Sequence, residues 1–246
     1  MTDSLTRLRL LAWLALLGTP LYLLQGNRLR RNTPRLPEVS GPRQGRIEGQ
    51  QPPLELLAIG ESPLAGVGLE SADQSVIARL ASALAEQSGR AAGWSIIARG
   101  GVTVADTCDH LLAQVPEKQV DLALIALGVN DCLQLTGPRR WQAGMETLLD
   151  GLAERCQPKC VVLAGVPPMQ HFPALPQPLA GMLGLRARML DAASAELASA
   201  RSDLLLAPMA FDGRSQDLFC HDGFHPGVLG HRLWAEQLAE LVEKRL

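Results

Sequence analysis

Leu54-Glu55-Leu56-Leu57-Ala58-Ile59-Gly60-Glu61-Ser62-Pro63-Leu64-Ala65-Gly66 opens as a strand and ends as a turn. Its first seven residues are almost continuously apolar, as expected of a strand buried on both faces. Glycine and proline then break the run. The same pattern recurs at Trp94–Gly100, Val120–Gly128, Cys160–Val166 and Asp203–Met209, each a short apolar stretch bounded by Gly, Pro or Asp. Helical spacing fills the intervals. Ser71 and Gln74 fit a capping box ahead of Val76, Ile77, Leu80 and Leu84. Pro138 stands where a first helical residue would, ahead of Trp141, Met145, Leu148, Leu149 and Leu152. A further helix covers residues 179–200, and Pro226 opens the last, with Trp234, Leu238, Leu241 and Val242 on one face.

Five strands separated by helices predict an α/β domain over residues 54–246. The expected form is a three-layer α/β/α sandwich around a flavodoxin-like, five-stranded parallel sheet of order 2-1-3-4-5. In such sheets ligands bind beyond the carboxyl ends of the strands, so the residues there carry the functional reading. Gly60-Glu61-Ser62-Pro63-Leu64-Ala65-Gly66 follows the first predicted strand, Gly100-Gly101-Val102-Thr103 the second, and Gly128-Val129-Asn130-Asp131 the third. Asp222-Gly223-Phe224-His225-Pro226 follows the fifth, ahead of the last helix. Taken singly, each has an ordinary structural reading as a turn or a helix cap.

Together, in this order, the four blocks resemble those of the SGNH, or GDSL-type, serine hydrolases, and the resemblance spans nearly all of residues 54–246. It implies the SGNH hydrolase fold and a carboxylic ester hydrolase acting on a lipid or short-chain acyl ester. Ser62 would be the nucleophile, His225 the base and Asp222 its orienting carboxylate. The Ser62 and Gly101 N–H groups and the Asn130 amide would form the oxyanion hole. The chemistry agrees with the spacing. A serine hydroxyl needs a neighbouring base, and Asp222 lies three residues before His225 on one loop, within reach of its imidazole. In the predicted strand order Ser62 is flanked by Gly101 on one side and Asn130 on the other, so donors converge on a developing oxyanion. Two departures from the family pattern stand out. Glu61 replaces the usual Asp before the serine, at a residue not expected to do chemistry. Ala98-Arg99-Gly100 replaces the commoner Asn and Ser ahead of the glycine, leaving Gly100 and Gly101 as competing donors, with Val102-Thr103 favouring Gly101. The resemblance implies no metal or organic cofactor. An acyltransferase or thioesterase would use the same residues. A non-catalytic, membrane-tethered receiver or flavodoxin-like module fits less well. Asp131 suits a phospho-acceptor, but Glu61 alone supplies no acidic pair for a cation, and Pro63-Leu64-Ala65 makes a poor phosphate cradle.

The 246-residue chain has a net charge of −2, which gives no sign of nucleic-acid binding; basic residues cluster only near the N-terminus, which points to a membrane surface instead. Its five cysteines are scattered, with Cys156 and Cys160 lacking a second pair at metal-ligand spacing. No charged residue interrupts Leu10–Asn27, a run of about 27 Å as a helix, marginal for a bilayer core. Arg28, Arg30 and Arg31 follow it without a small-residue cleavage site, so residues 1–27 read as an uncleaved membrane anchor rather than a signal peptide. The excess of arginine after this segment places the domain on the cytoplasmic side of an inner or plasma membrane, with a periplasmic or extracellular location left open. Residues 28–53, rich in Arg, Pro and Gly, read as a linker without a core of its own. His171, in the loop Pro167–Pro178, is a candidate pocket residue. His110, His221 and His231 read as surface or packing residues.

Overall fold

Apolar runs that must be covered on both faces are enclosed here by a sheet between two helical layers. The computed structural model describes residues 18–209, 215–243 and 245. Its strands are β1 (Gln44–Ile47), β2 (Gln50–Gly60), β3 (Arg90–Ala98), β4 (Leu122–Ala126), β5 (Cys160–Ala164) and β6 (Leu204–Ala207). Its α-helices are α1 (Thr19–Asn32), α2 (Val76–Ser88), α3 (Val104–His110), α4 (Val129–Leu133), α5 (Pro138–Cys156), α6 (Leu179–Ala200) and α7 (Val228–Val242). Sheet order is β1-β3-β2-β4-β5-β6. The five expected strands are all present, parallel and in the expected order, and β1 adds an antiparallel edge beside β3.

Successive side chains of a strand point to opposite faces, and the core divides accordingly. Leu57, Ile59, Ile125, Val161 and Leu163 meet Trp141, Met145 and Leu148 of α5 and Leu183 and Leu190 of α6. Leu56, Ala58, Leu122, Leu124 and Val162 meet Val76, Ile77, Leu80 and Leu84 of α2 and Trp234 and Leu238 of α7. Register matters most at the carboxyl end. Gly60 pairs with Ala98 on one side and Ala126 on the other, so the three loops that follow leave the sheet at one level.

Several expectations are corrected. Ser71 caps only the short 3-10 turn Ala72–Gln74, and α2 takes its cap from Ser75, whose hydroxyl accepts the Ala78 N–H. The last helix begins at Val228, two residues beyond Pro226. The stretch 28–53 is not a linker throughout. Val39 is buried, residues 44–47 form β1, and β2 starts at Gln50. Of the expected anchor only residues 18–27 are described, and from Thr19 on they belong to α1, which lies against α6, with Tyr22 and Leu29 packed on the core. Among the described residues no helix is long and apolar enough to cross a membrane. Residues 1–17, which hold most of the predicted apolar run, lie outside the described residues.

Candidate active site

The turn after β2 is clamped from both neighbouring strands. The Glu61 N–H donates to the Ala126 carbonyl at 3.0 Å, and the Arg99 N–H donates to the Gly60 carbonyl at 3.1 Å. Gly60 has φ +152°, and a Cβ there would collide with the Ala126 carbonyl, so the close approach requires glycine. Ser62, 8% exposed, follows on a turn whose carbonyl accepts the Val67 N–H.

On the other side of the site, Asp222 and His225 are built as one unit. Asp222 Oδ1 accepts the N–H groups of Phe224 and His225, each at 3.0 Å, and Oδ2 lies 2.6 Å from His225 Nδ1. The Asp222 side chain is wholly buried and that of His225 is 21% exposed. Burial alone would raise the Asp222 carboxyl, but the bonds from the imidazole and the two N–H groups outweigh it and hold the carboxyl below its ordinary range. Ser62 and His225 line one cavity with Phe172, Phe219, Phe224 and Trp234. Phe172 meets Phe219 and Phe224 edge-on, with ring centroids 5.2 and 5.3 Å apart. No hydrogen bond joins the Ser62 and His225 side chains among the described residues, a common state of such pairs before substrate binds.

The two candidate oxyanion loops flank Ser62, one after β3 and one after β4. A Cβ on Gly100 would lie 3.8 Å from that of Ser62. The Gly100 N–H is spent on Glu38 Oε1 at 2.7 Å, whereas among the described residues the N–H groups of Gly101 and Ser62 have no partner. Gly101 has φ +82°. The Asn130 amide nitrogen donates to Glu61 Oε2, which leaves its second hydrogen unspent.

Glu61 is the residue sequence reasoning passed over. Its carboxylate, buried beside the serine, accepts the Val129 N–H at 2.9 Å, the Asn130 N–H at 3.1 Å and the Asn130 amide. Burial lifts it to about 8, with the nearby Asp131 adding to the rise and the donors from Val129 and Asn130 opposing it. Asp131 is fully buried and accepts the Val104 N–H at 3.1 Å, tying the start of α3 to the Asn130 loop. It presents no open carboxylate of the kind a receiver module needs. Glu38, in the stretch read as linker, also pairs with Arg43 at 2.5 Å, and Arg43 donates to the Ala98 carbonyl at 2.6 Å. The only sequence signal for Glu61 was its place beside Ser62, and Glu38 had none.

The remaining candidates are set apart from the chemistry. His171 does not line the cavity, but Pro167 and Phe172 of the same loop do, so the loop 167–178 walls the site in part and also packs on the Asp222–His225 loop through Ala174 N–H to Gly223 O. His110 and His221 are exposed, and His231 is buried. Cys156 and Cys160 are buried free thiols, and among the described residues no group of side chains is arranged to hold a metal.

Comparison with known proteins shows the family and the fold. The profile of the GDSL-like lipase/acylhydrolase family matches residues 58–233. A GDSL-like esterase of Mycobacterium tuberculosis is 28% identical over 193 residues, covering 75% of this chain and 60% of that protein's own length. Among solved structures, that of TesA is 25% identical, with a TM-score of 0.59 over 78% of this chain and 99% of that one. The aryl esterase of M. smegmatis shares the fold at 20% identity and a TM-score of 0.58, over 78% of this chain and all of that one. The chain belongs to the GDSL-like lipase/acylhydrolase family and is an SGNH-type hydrolase.

Proposed function

We propose that this hydrolase cleaves carboxylic esters by two-step acyl transfer, with Ser62 as nucleophile, His225 as general base and acid, and Asp222 as the carboxylate that orients it. The observation that carries the reading is the Asp222–His225 pair, buried on its acid side and opening on its imidazole side into the cavity that Ser62 lines. With Nδ1 held by the carboxylate, Nε2 is left to take the serine proton.

His225 removes the proton of the Ser62 hydroxyl as its oxygen attacks the ester carbonyl. The oxyanion is received by the Ser62 and Gly101 N–H groups and the second hydrogen of the Asn130 amide. Commitment of the Gly100 N–H to Glu38 supports Gly101 as the donor from that loop. His225 then gives its proton to the leaving alcohol. Water, deprotonated by His225, attacks the acyl-enzyme and releases the acid. Apolar walls supplied by Phe172, Phe219 and Trp234 keep the site poor in water, which strengthens each of these interactions.

Kinetics on p-nitrophenyl acetate test the roles. Asp222→Asn keeps the shape but leaves the imidazole in the wrong tautomer, so kcat falls on the order of 10⁴-fold with a smaller change in KM. A loss below tenfold would contradict the assignment of Asp222.

A further inference from the structure

The cavity holding Ser62 and His225 measures only about 40 Å³, room for a few waters or a very short acyl group. A second cavity of about 610 Å³ shares the wall residue Phe224 with it and is within the range of small-molecule sites. α1 forms one wall through Tyr22, Leu23 and Leu29, and α6 forms another, with Met182 facing in.

Three features make this groove part of the site rather than a gap between helices. Phe224 lines both cavities and directly precedes His225. α4 carries Asn130 in its first turn and brings Leu133, followed by Leu135, to the groove. α1 is latched in place, with Gln25 Nε2 donating to the Gln177 carbonyl at 2.7 Å and its Oε1 accepting the Leu179 N–H at 3.1 Å. That last bond satisfies an otherwise orphaned donor at the start of α6. Among the described residues no acidic side chain lines the groove, and of the two arginines there, Arg186 is committed to the carbonyls of Cys132 and Thr136. Leu133 and Leu135 nevertheless stay 45% and 61% exposed. An apolar trough that shares its Phe224 wall with the cavity of Ser62 and His225, and has no acid among its described lining residues, suits a hydrocarbon chain.

We infer that the groove under α1 is the acyl-chain site, so that an ester reacting at Ser62 threads a long acyl chain past Phe224 to lie between α1 and α6. The inference rests on the ester hydrolase reading above and narrows its substrate class to long-chain acyl esters.

The test uses the full chain and p-nitrophenyl esters from acetyl to dodecanoyl. The rise in kcat/KM is roughly fourfold for each methylene that enters the groove. Gly26 lines the groove, and a Cβ there meets nothing within 4 Å, so Gly26→Trp fills the space without disturbing the helix. It lowers the dodecanoyl-to-acetyl ratio of kcat/KM roughly tenfold or more, while Gly26→Ala keeps the ratio. In a Ser62→Ala background, calorimetry detects dodecanoate binding that Gly26→Trp removes. A profile that is flat or falls with chain length, or a ratio untouched by Gly26→Trp, overturns the inference. Dimerisation that Gly26→Trp abolishes without altering the profile would assign the groove to a second copy of the chain instead. Fluorophosphonate labelling of Ser62 in the wild type and Gly26→Trp separates the two levels. Labelling without chain-length dependence removes the groove reading alone, and absence of labelling removes the hydrolase reading beneath it.

Discussion

Glu61 spends its carboxylate on the neighbouring loop, where three donors from Val129 and Asn130 converge on it. In the proposed mechanism it is a positioning residue: it sets where the Asn130 amide stands and does not itself touch the reacting atoms. Glu61→Ala removes both acceptor oxygens, so the Asn130 loop shifts. The expected result is a fall in kcat of about 10- to 100-fold with KM nearly unchanged, because only the transition state uses the oxyanion hole. Glu61→Gln, which keeps an acceptor oxygen and carries a donor as the neutral acid does, recovers most of the rate. An Ala variant with wild-type kcat would show that Asn130 is held by other means. The four short blocks were legible because each is local in sequence and sits at a strand end. The use of Glu61 was not, because its amide partner is 69 residues away and nothing in the composition of either loop announces the pairing.

At the scale of elements, the strands buried on both faces were readable from their unbroken apolar runs. Their carboxyl ends were overrun in the reading, as at Val120–Gly128 against Leu122–Ala126, because the loop residues that follow are buried too. β1 escaped notice for a physical reason. It is a four-residue edge strand, Gln-Gly-Arg-Ile, with alternating exposure and no apolar run to mark it. The segment before it matters more than its composition suggests. The Val39 N–H donates to the Ala65 carbonyl, the Gly68 N–H donates to the Pro37 carbonyl, and Glu38 holds the Gly100 N–H. Residues 37–43 therefore brace both the serine turn and the Gly100–Gly101 loop from outside. Glu38→Ala frees that loop and is expected to reduce kcat about tenfold, a loss that comes from misplacement rather than from lost contact with substrate. Glu38→Gln, which can still accept the Gly100 N–H, recovers most of it. Equal rates in both variants and the wild type would remove this segment from the site.

For the molecule as a whole, the helical layer formed by α2 and α7 contains a pH-sensitive tie. His231 is fully buried on α7 and accepts the Val76 N–H of α2 through Nδ1 at 3.2 Å. Burial, with the charge of Arg79, pushes its pKa from the usual 6.5 down to about 3. The unfolded chain therefore binds a proton at this site between pH 6.5 and 3 that the folded chain does not. Stability falls as pH drops through that window, by up to about 1.4 kcal/mol per pH unit from this residue. Urea titrations of the wild type and His231→Gln check it, since the variant lacks that part of the slope. Parallel curves would show that His231 is protonated in the fold. Glu61 works in the opposite sense. Its folded pKa of about 8 lies above the usual 4.5, so its contribution is complete below pH 4.5 and is lost as pH rises towards 8.

The proposed mechanism requires Ser62 to be an activated nucleophile served by His225. The most direct measurement is reaction of the full chain with a fluorophosphonate, followed by intact mass and peptide mapping. One adduct is expected on Ser62, absent in Ser62→Ala and slowed by orders of magnitude in His225→Ala. A folded chain that stays unlabelled, or carries the label on another residue, would contradict it.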